Sequence, residues 1–291
     1  MFKGTYTAVV TPFKNGKFDE DAFRRLIRRQ IAAGVDGIVP VGSTGESPTL
    51  DYQEHIRVIA QAVENAAGKI KVIGGTGANS TAEAVFLTQA AERAGVDASL
   101  QVAPYYNRPT QEGLFQHFRT IARSTRLPIL LYSVPSRCGV EIGVDAIQRL
   151  AAACPNIIGI KESGGKPERV VEIRQAVGPR FSILSGDDAS TLPFMAVGAV
   201  GVVSVASNVA PREVVRLVNA IEAGNSAAAV KLNAKLQPLF RNLFLETNPI
   251  PVKAALAMMG LIKEEYRLPL TRIDPANRRI LRGALQQFGL I

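Results

Sequence analysis

Apolar residues in this chain fall into short β-branched runs, separated by longer stretches where they recur every three or four positions. The runs at 5–11, 37–42, 71–75, 98–102, 129–133, 157–161, 181–185 and 200–205 read as strands. Most are apolar without alternation, the pattern of strands covered on both faces. Helical periodicity fills the intervals, as over 21–33, 52–66, 81–94 and 111–124. Strands recur at roughly the spacing of a βα unit, about 20–35 residues. A doubly wound sheet would carry GxGxxG after its first strand, and none is there. The pattern therefore predicts a (β/α)8 TIM barrel. Beyond 205 the strand signal ends. An eighth helix is expected over 211–223, Gly224-Asn225 breaks the periodicity, and helices over 226–245, 251–259 and 275–288 each start on Ser or Pro. The expected organisation is a catalytic barrel at 1–224 and a C-terminal helical domain at 225–291.

Composition narrows the class. The 291 residues are 47% hydrophobic and 20% charged, as in ordinary globular proteins. No run of about 18 apolar residues is present, which argues against a membrane span. Residues 1–13 lack the basic start and long apolar core of a signal peptide and read as the first strand. Cys138 and Cys154 form no CxxC pair and suit a reducing cytoplasm. With only His55 and His117, and no HExxH, neither a metal nor another cofactor is expected. The net charge of +9 raises the question of a nucleic-acid partner. The densest basic cluster, Arg24, Arg25, Arg28 and Arg29, shares its helix with Asp19, Glu20 and Asp21 and reads as a solvated face. A basic surface also attracts small carboxylates.

In such a barrel the chemistry sits at the C-terminal ends of the strands. The run 157–160 is apolar up to Lys161 and stops there. Burial at a strand end disfavours a charged lysine and frees its amine for attack on a carbonyl, whereas a lysine snorkelling into solvent would be inert. Tyr132 closes the preceding strand and should neighbour Lys161; a core aromatic is the plainer reading. The second strand ends in Gly42-Ser43-Thr44-Gly45-Glu46, where glycines let backbone amides and hydroxyls approach an anion, or make a simple turn. Tyr105 and Tyr106 sit on the fourth loop, suggesting an interface or a site. Arg137 follows the fifth strand, as an anion contact or a surface ion pair. After the seventh strand, Gly186 precedes Asp187 and Asp188. Two carboxylates would repel a phosphate, so unphosphorylated substrates are expected, with one Asp capping the next helix.

Seven segments in order, GSTGES (42–47), GTGANSTAEA (75–84), PYYNRPTQEGL (104–114), YSVPSRCG (132–139), GIKES (159–163), SGDDAS (185–190) and NPIPVKAAL (248–256), cover essentially the whole chain. Together they resemble the pyruvate-dependent class I aldolases, the family of dihydrodipicolinate synthase and N-acetylneuraminate lyase. The resemblance implies condensation of pyruvate with L-aspartate 4-semialdehyde in lysine (diaminopimelate) biosynthesis. Lys161 would form the Schiff base, and Tyr132, Ser43 and a neighbouring subunit's Tyr106 would relay protons. Thr44, Gly186 and the Val203 main chain would contact pyruvate, and Arg137 the carboxylate of the semialdehyde. It also implies a homotetramer built as a dimer of dimers. L-lysine is a possible effector at the tight-dimer interface, on Ser47, Pro48, Tyr52, His55, Asn79, Glu83 and Tyr105.

The chain departs from the family pattern at four positions. Ser43 stands where threonine is usual, and Ser133 and Cys138 replace the Asn and Thr of YNVPxRT. Tyr52 occupies a position where lysine-sensitive relatives often carry a second histidine. Two other readings stay open: a sibling aldolase taking a sialic acid or a 2-keto-3-deoxy sugar acid, and a non-catalytic binder on the same scaffold. Arg137 after Val134-Pro135 favours a short carboxylated acceptor, and the intact set of Lys161, Tyr132 and Tyr106 argues against a pure binder.

Overall fold

A computed structural model describes residues 1–291. Strand β1 (Gly4–Ala8) is followed by a hairpin of β2 (Phe13–Lys14) and β3 (Lys17–Phe18), then by β4 (Gly37–Val39), β5 (Lys71–Gly75), β6 (Ala98–Val102), β7 (Ile129–Ser133), β8 (Ile157–Glu162), β9 (Ser182–Ser185) and β10 (Gly201–Ser204). Strand β1 and strands β4 to β10 pair in parallel, and β10 returns to β1, so the ring has no free edge. This is the (β/α)8 barrel the periodicity predicts. The hairpin gave no periodic signal, since each of its strands has two residues.

The first barrel helices begin where short polar side chains can accept an orphan amide. Asp19, Asp51, Ser80 and Thr110 cap Glu20–Ala33, Tyr52–Ala66, Thr81–Ala94 and Gln111–Arg123, accepting from Ala22, Glu54, Glu83 and Gly113. One expectation fails on the first of these helices. Arg29 does not face solvent; it donates to the carbonyls of Asn208 and Val209, each at 2.6 Å. Those carbonyls belong to the last residue of a 3-10 turn and to the residue that ends it, where no helical partner satisfies them.

Past Asn225 the chain forms Ser226–Asn242, Ile250–Met258 and Pro275–Phe288. Val214 and Leu217, on the last barrel helix Pro211–Glu222, share one buried cluster with Leu236, Phe240 and Leu281. The core is thus continuous across position 224. The first of the three helices stops at Asn242, short of 245. The segment that follows carries Asn248 to the barrel mouth, where its side chain meets Thr44.

The expected helix cap by Asp187 or Asp188 is absent: Thr191–Ala196 starts without a side-chain cap. Asp187 closes its own turn on Ala189 N and Ser190 Oγ. Asp188 reaches sideways and joins the ends of β9 and β10, accepting from Ser204 Oγ at 2.5 Å and from the amides of Val205 and Ala206 at 2.9 Å. Complete burial pushes its carboxyl from 3.8 to about 6, against the pull of these donors. The folded chain then holds a proton that the unfolded chain releases at lower pH. Stability contributed by the protonated form is lost as pH rises from 3.8 through about 6. Asp188→Asn should remove that component, on the order of 2–3 kcal/mol. Thermal melts of parent and variant across the window would show it; an unchanged pH slope in the variant would refute the assignment.

Candidate active site

A cavity of about 500 Å³ opens at the C-terminal ends of the strands, and Ser43, Thr44, Tyr132, Arg137, Lys161 and Gly186 all line it. Lys161 is only 7% exposed. Its Nζ lies 4.1 Å from the centroid of the Tyr132 ring, whose negative face favours an adjacent cation. Cross-strand pairing places Tyr132 directly beside Lys161. Gly186 makes room for the lysine stem: a Cβ there would stand 2.9 Å from Lys161 Cε and 1.9 Å from Ser163 Oγ. The snorkelling reading of Lys161 does not fit this burial.

The GSTGE segment and the three residues after it fold as two successive 3-10 turns, Ser43–Gly45 and Ser47–Thr49, with Glu46 between them in the left-handed region at φ 55°. Thr44 Oγ1 accepts from Asn248 Nδ2 at 2.9 Å. Arg137 is exposed and donates to the Asn248 carbonyl at 3.0 Å, a main-chain contact and not the surface ion pair of its alternative reading. Val203 is buried within β10 and paired with Tyr6, and it is Val205, two residues on, that forms part of the cavity wall.

Tyr106 lines neither this cavity nor its neighbour; it is 92% exposed at φ 72°. A left-handed aromatic residue costs on the order of 1 kcal/mol, a strain that functional loops often carry. The neighbouring cavity, about 280 Å³, shares Ser43, Tyr132, Arg137 and Asn248 with the first and extends to Ser47, Pro48 and Tyr105.

Of the residues implied for an effector, Asn79, Glu83 and Tyr105 come together. Asn79 Nδ2 donates to the Tyr105 carbonyl at 3.3 Å. Burial raises the Tyr105 phenol, and the Glu83 carboxylate adds to the effect. His55 is buried, with Nε2 2.8 Å from the Gly75 carbonyl, and burial keeps the ring neutral by lowering its proton affinity. Tyr52 is half exposed and packs its ring 5.6 Å from that of Phe86.

Sequence reasoning assigned no role to four residues. Ser163 and Asn248 line the Lys161 cavity, and Ser163 Oγ and Asn248 Oδ1 are buried without a hydrogen-bond partner. Such orphaned atoms mark a place for a ligand or an ordered water. Glu46 and Lys253 form an ion pair of 2.5 Å with both side chains fully buried. Both pairs lie inside motifs already singled out, but only folding brings 46 and 253 together.

The family model described as the dihydrodipicolinate synthetase family matches residues 1–288. A 4-hydroxy-tetrahydrodipicolinate synthase from Syntrophus aciditrophicus is 52% identical over 291 residues, covering 100% of both chains. The solved 4-hydroxy-tetrahydrodipicolinate synthase of Methylacidiphilum fumariolicum SolV superposes with a TM-score of 0.98 at 55% identity, over 99% of this chain and 96% of that one. A dihydrodipicolinate synthase from Cyanidioschyzon merolae, solved with lysine bound, superposes at 0.97 with 40% identity over 100% and 99%. This chain belongs to the dihydrodipicolinate synthetase family.

Proposed function

We propose that this protein condenses pyruvate with L-aspartate 4-semialdehyde to 4-hydroxy-tetrahydrodipicolinate, through a Schiff base on Lys161, in the cytoplasm and as part of lysine (diaminopimelate) biosynthesis. The observation that carries this reading is a buried amine, Lys161, packed on Tyr132 in a cavity that also holds Ser43, Thr44 and Arg137. The amine adds to the ketone of pyruvate, and loss of water gives an imine. The protonated imine draws electrons from the methyl group, which loses a proton to give an enamine. The enamine carbon attacks the semialdehyde carbonyl, whose oxygen takes up a proton. Attack of the substrate's own amine on the imine carbon then closes the ring and releases Lys161. Ser43, Tyr132 and Tyr106 of the partner subunit pass protons between these steps. Thr44, Gly186 and the Val203 main chain hold the pyruvate end, and Arg137 takes the semialdehyde carboxylate with its fork of donors. Residues 1–224 act as the catalytic barrel and 225–291 as its helical extension.

Pyruvate with borohydride should add a reduced pyruvyl mass to the peptide containing Lys161, and Lys161→Arg should be inactive because a guanidinium stays protonated. Arg137→Ala should keep the adduct but lose acceptor turnover by the equivalent of about 1.5–3 kcal/mol. An adduct on another lysine, or normal semialdehyde kinetics in Arg137→Ala, would defeat the respective assignment.

The exposure and strain of Tyr106 support its use in a second subunit of a homotetramer. Sedimentation should give a tetramer. Mixed tetramers of Tyr106→Phe and Lys161→Ala subunits should regain activity that neither parent variant has. Fully active monomers would exclude a shared tyrosine.

L-lysine is proposed as a feedback inhibitor at Ser47, Pro48, Tyr52, His55, Asn79, Glu83 and Tyr105. The meeting of Asn79, Glu83 and Tyr105 supports this, since a carboxylate and an amide suit the two ends of an amino acid. Initial rates titrated with L-lysine should fall in the parent and much less in Glu83→Ala; equal responses would remove this site.

A further inference from the structure

The buried pair of Glu46 and Lys253 lies outside the wall of the Lys161 cavity, though Glu46 borders the neighbouring one, and it is built into the turn that carries Ser43 and Thr44. Lys253 Nζ meets Glu46 Oε1 at 2.5 Å and lies 4.2 Å from the Phe13 ring centroid and 5.3 Å from that of Tyr266. Glu46 Oε2 accepts from the Arg267 amide at 3.2 Å. The Glu46 amide in turn donates to the Ser43 carbonyl at 3.2 Å, closing the turn that presents Ser43 and Thr44. Thr11 Oγ1 fastens the Gly45 carbonyl from the other side, at 2.7 Å.

Stability alone does not account for such an arrangement. An ion pair with both partners out of water is often no more stabilising than apolar side chains of the same size. A non-glycine residue at φ 55° adds strain. Both burdens fall on Glu46, whose amide closes the turn that carries Ser43 and Thr44. We infer that Lys253 is a positioning residue for the condensation: through Glu46 it fixes the Ser43–Thr44 turn against the Lys161 cavity, so that the relay hydroxyl and the carboxylate-binding amides stay in register with the imine. This rests on the function proposed above.

The test measures two half-reactions that need no acceptor aldehyde. Borohydride trapping at saturating pyruvate reports imine formation, and exchange of pyruvate methyl protons with deuterated water, followed by NMR, reports proton removal. Lys253→Met should still trap pyruvate, exchange methyl protons at least tenfold more slowly, and need several-fold more pyruvate for half saturation. These readouts are taken where circular dichroism shows the variant folded. Arg278→Ala breaks a partly exposed ion pair with Glu264 in the same region and serves as the control, expected to change neither rate. If Lys253→Met does not fold, the neutral pair Glu46→Gln with Lys253→Gln replaces it. Exchange within twofold of the parent in either variant overturns the inference, whatever happens to the melting temperature. Absence of an adduct in the parent would instead overturn the proposed function, so the two failures are distinct.

Discussion

The placement of Tyr132 beside Lys161 depends on a single irregularity in strand pairing. Ile129 pairs with Ile157, but Leu130 pairs with Gly159, so Ile158 is an extra residue on β8. From that point on, Tyr132 stands opposite Lys161. Without the extra residue Tyr132 would pair with Ile160, which would then share its face of the sheet. Lys161 would project from the opposite face, away from Tyr132 and the cavity. A bulge that re-aims side chains next to an active site is a recurrent device of β-structure. Here the close approach of β8 to β9 helps to hold it, since a Cβ on Gly159 would come 2.5 Å from the Ser182 carbonyl.

The departures from the family pattern gain meaning from their places in the barrel. Ser133 is fully buried and its Oγ accepts from the Ile142 amide at 3.4 Å, so it supports the following loop and does not line the Lys161 cavity. Cys138 faces the neighbouring cavity, and burial pushes its thiol up to about 11, which leaves it an inert small apolar group. Only Ser43 of the three stands in the wall around Lys161, and it keeps the hydroxyl. The substitutions at 133 and 138 therefore lie behind the wall of the Lys161 cavity, in the loop support and the neighbouring cavity, and leave its lining groups in place.

Most of the barrel was legible because its strands are apolar runs and the intervals between them carry helical periodicity; the caps at Asp51, Ser80 and Thr110 then fix where those helices begin. Lys161 and Tyr132 were legible because a polar residue ending an apolar strand is unusual, and Arg137 because it follows such a strand at the barrel's active face. What stayed hidden is non-local. Nothing near Asp188 says that its partners lie at 204–206, and nothing near Glu46 points 207 positions ahead to Lys253. The bulge at Ile158 is silent for the same reason, since a run of β-branched residues carries no mark of its register. Composition misled at Arg29, where a basic cluster suggested solvent and the side chain instead serves two carbonyls.

These long-range ties share a direction. Asn248 reaches Thr44, Lys253 reaches Glu46, and the Arg267 amide completes the Glu46 carboxylate, all from the C-terminal extension to one turn after β4. Arg267 also binds the Glu54 carboxylate and the Thr49 carbonyl, extending the grip to the helix that follows. The hydrophobic cluster that joins 214 and 217 to 236, 240 and 281 supplies the stiffness behind these contacts. Polar groups buried this far from water are stable only when each has its partner, so the turn and the extension favour each other's folded geometry. Order at the Ser43–Thr44 turn is thus a property of the extension's packing as much as of the barrel's.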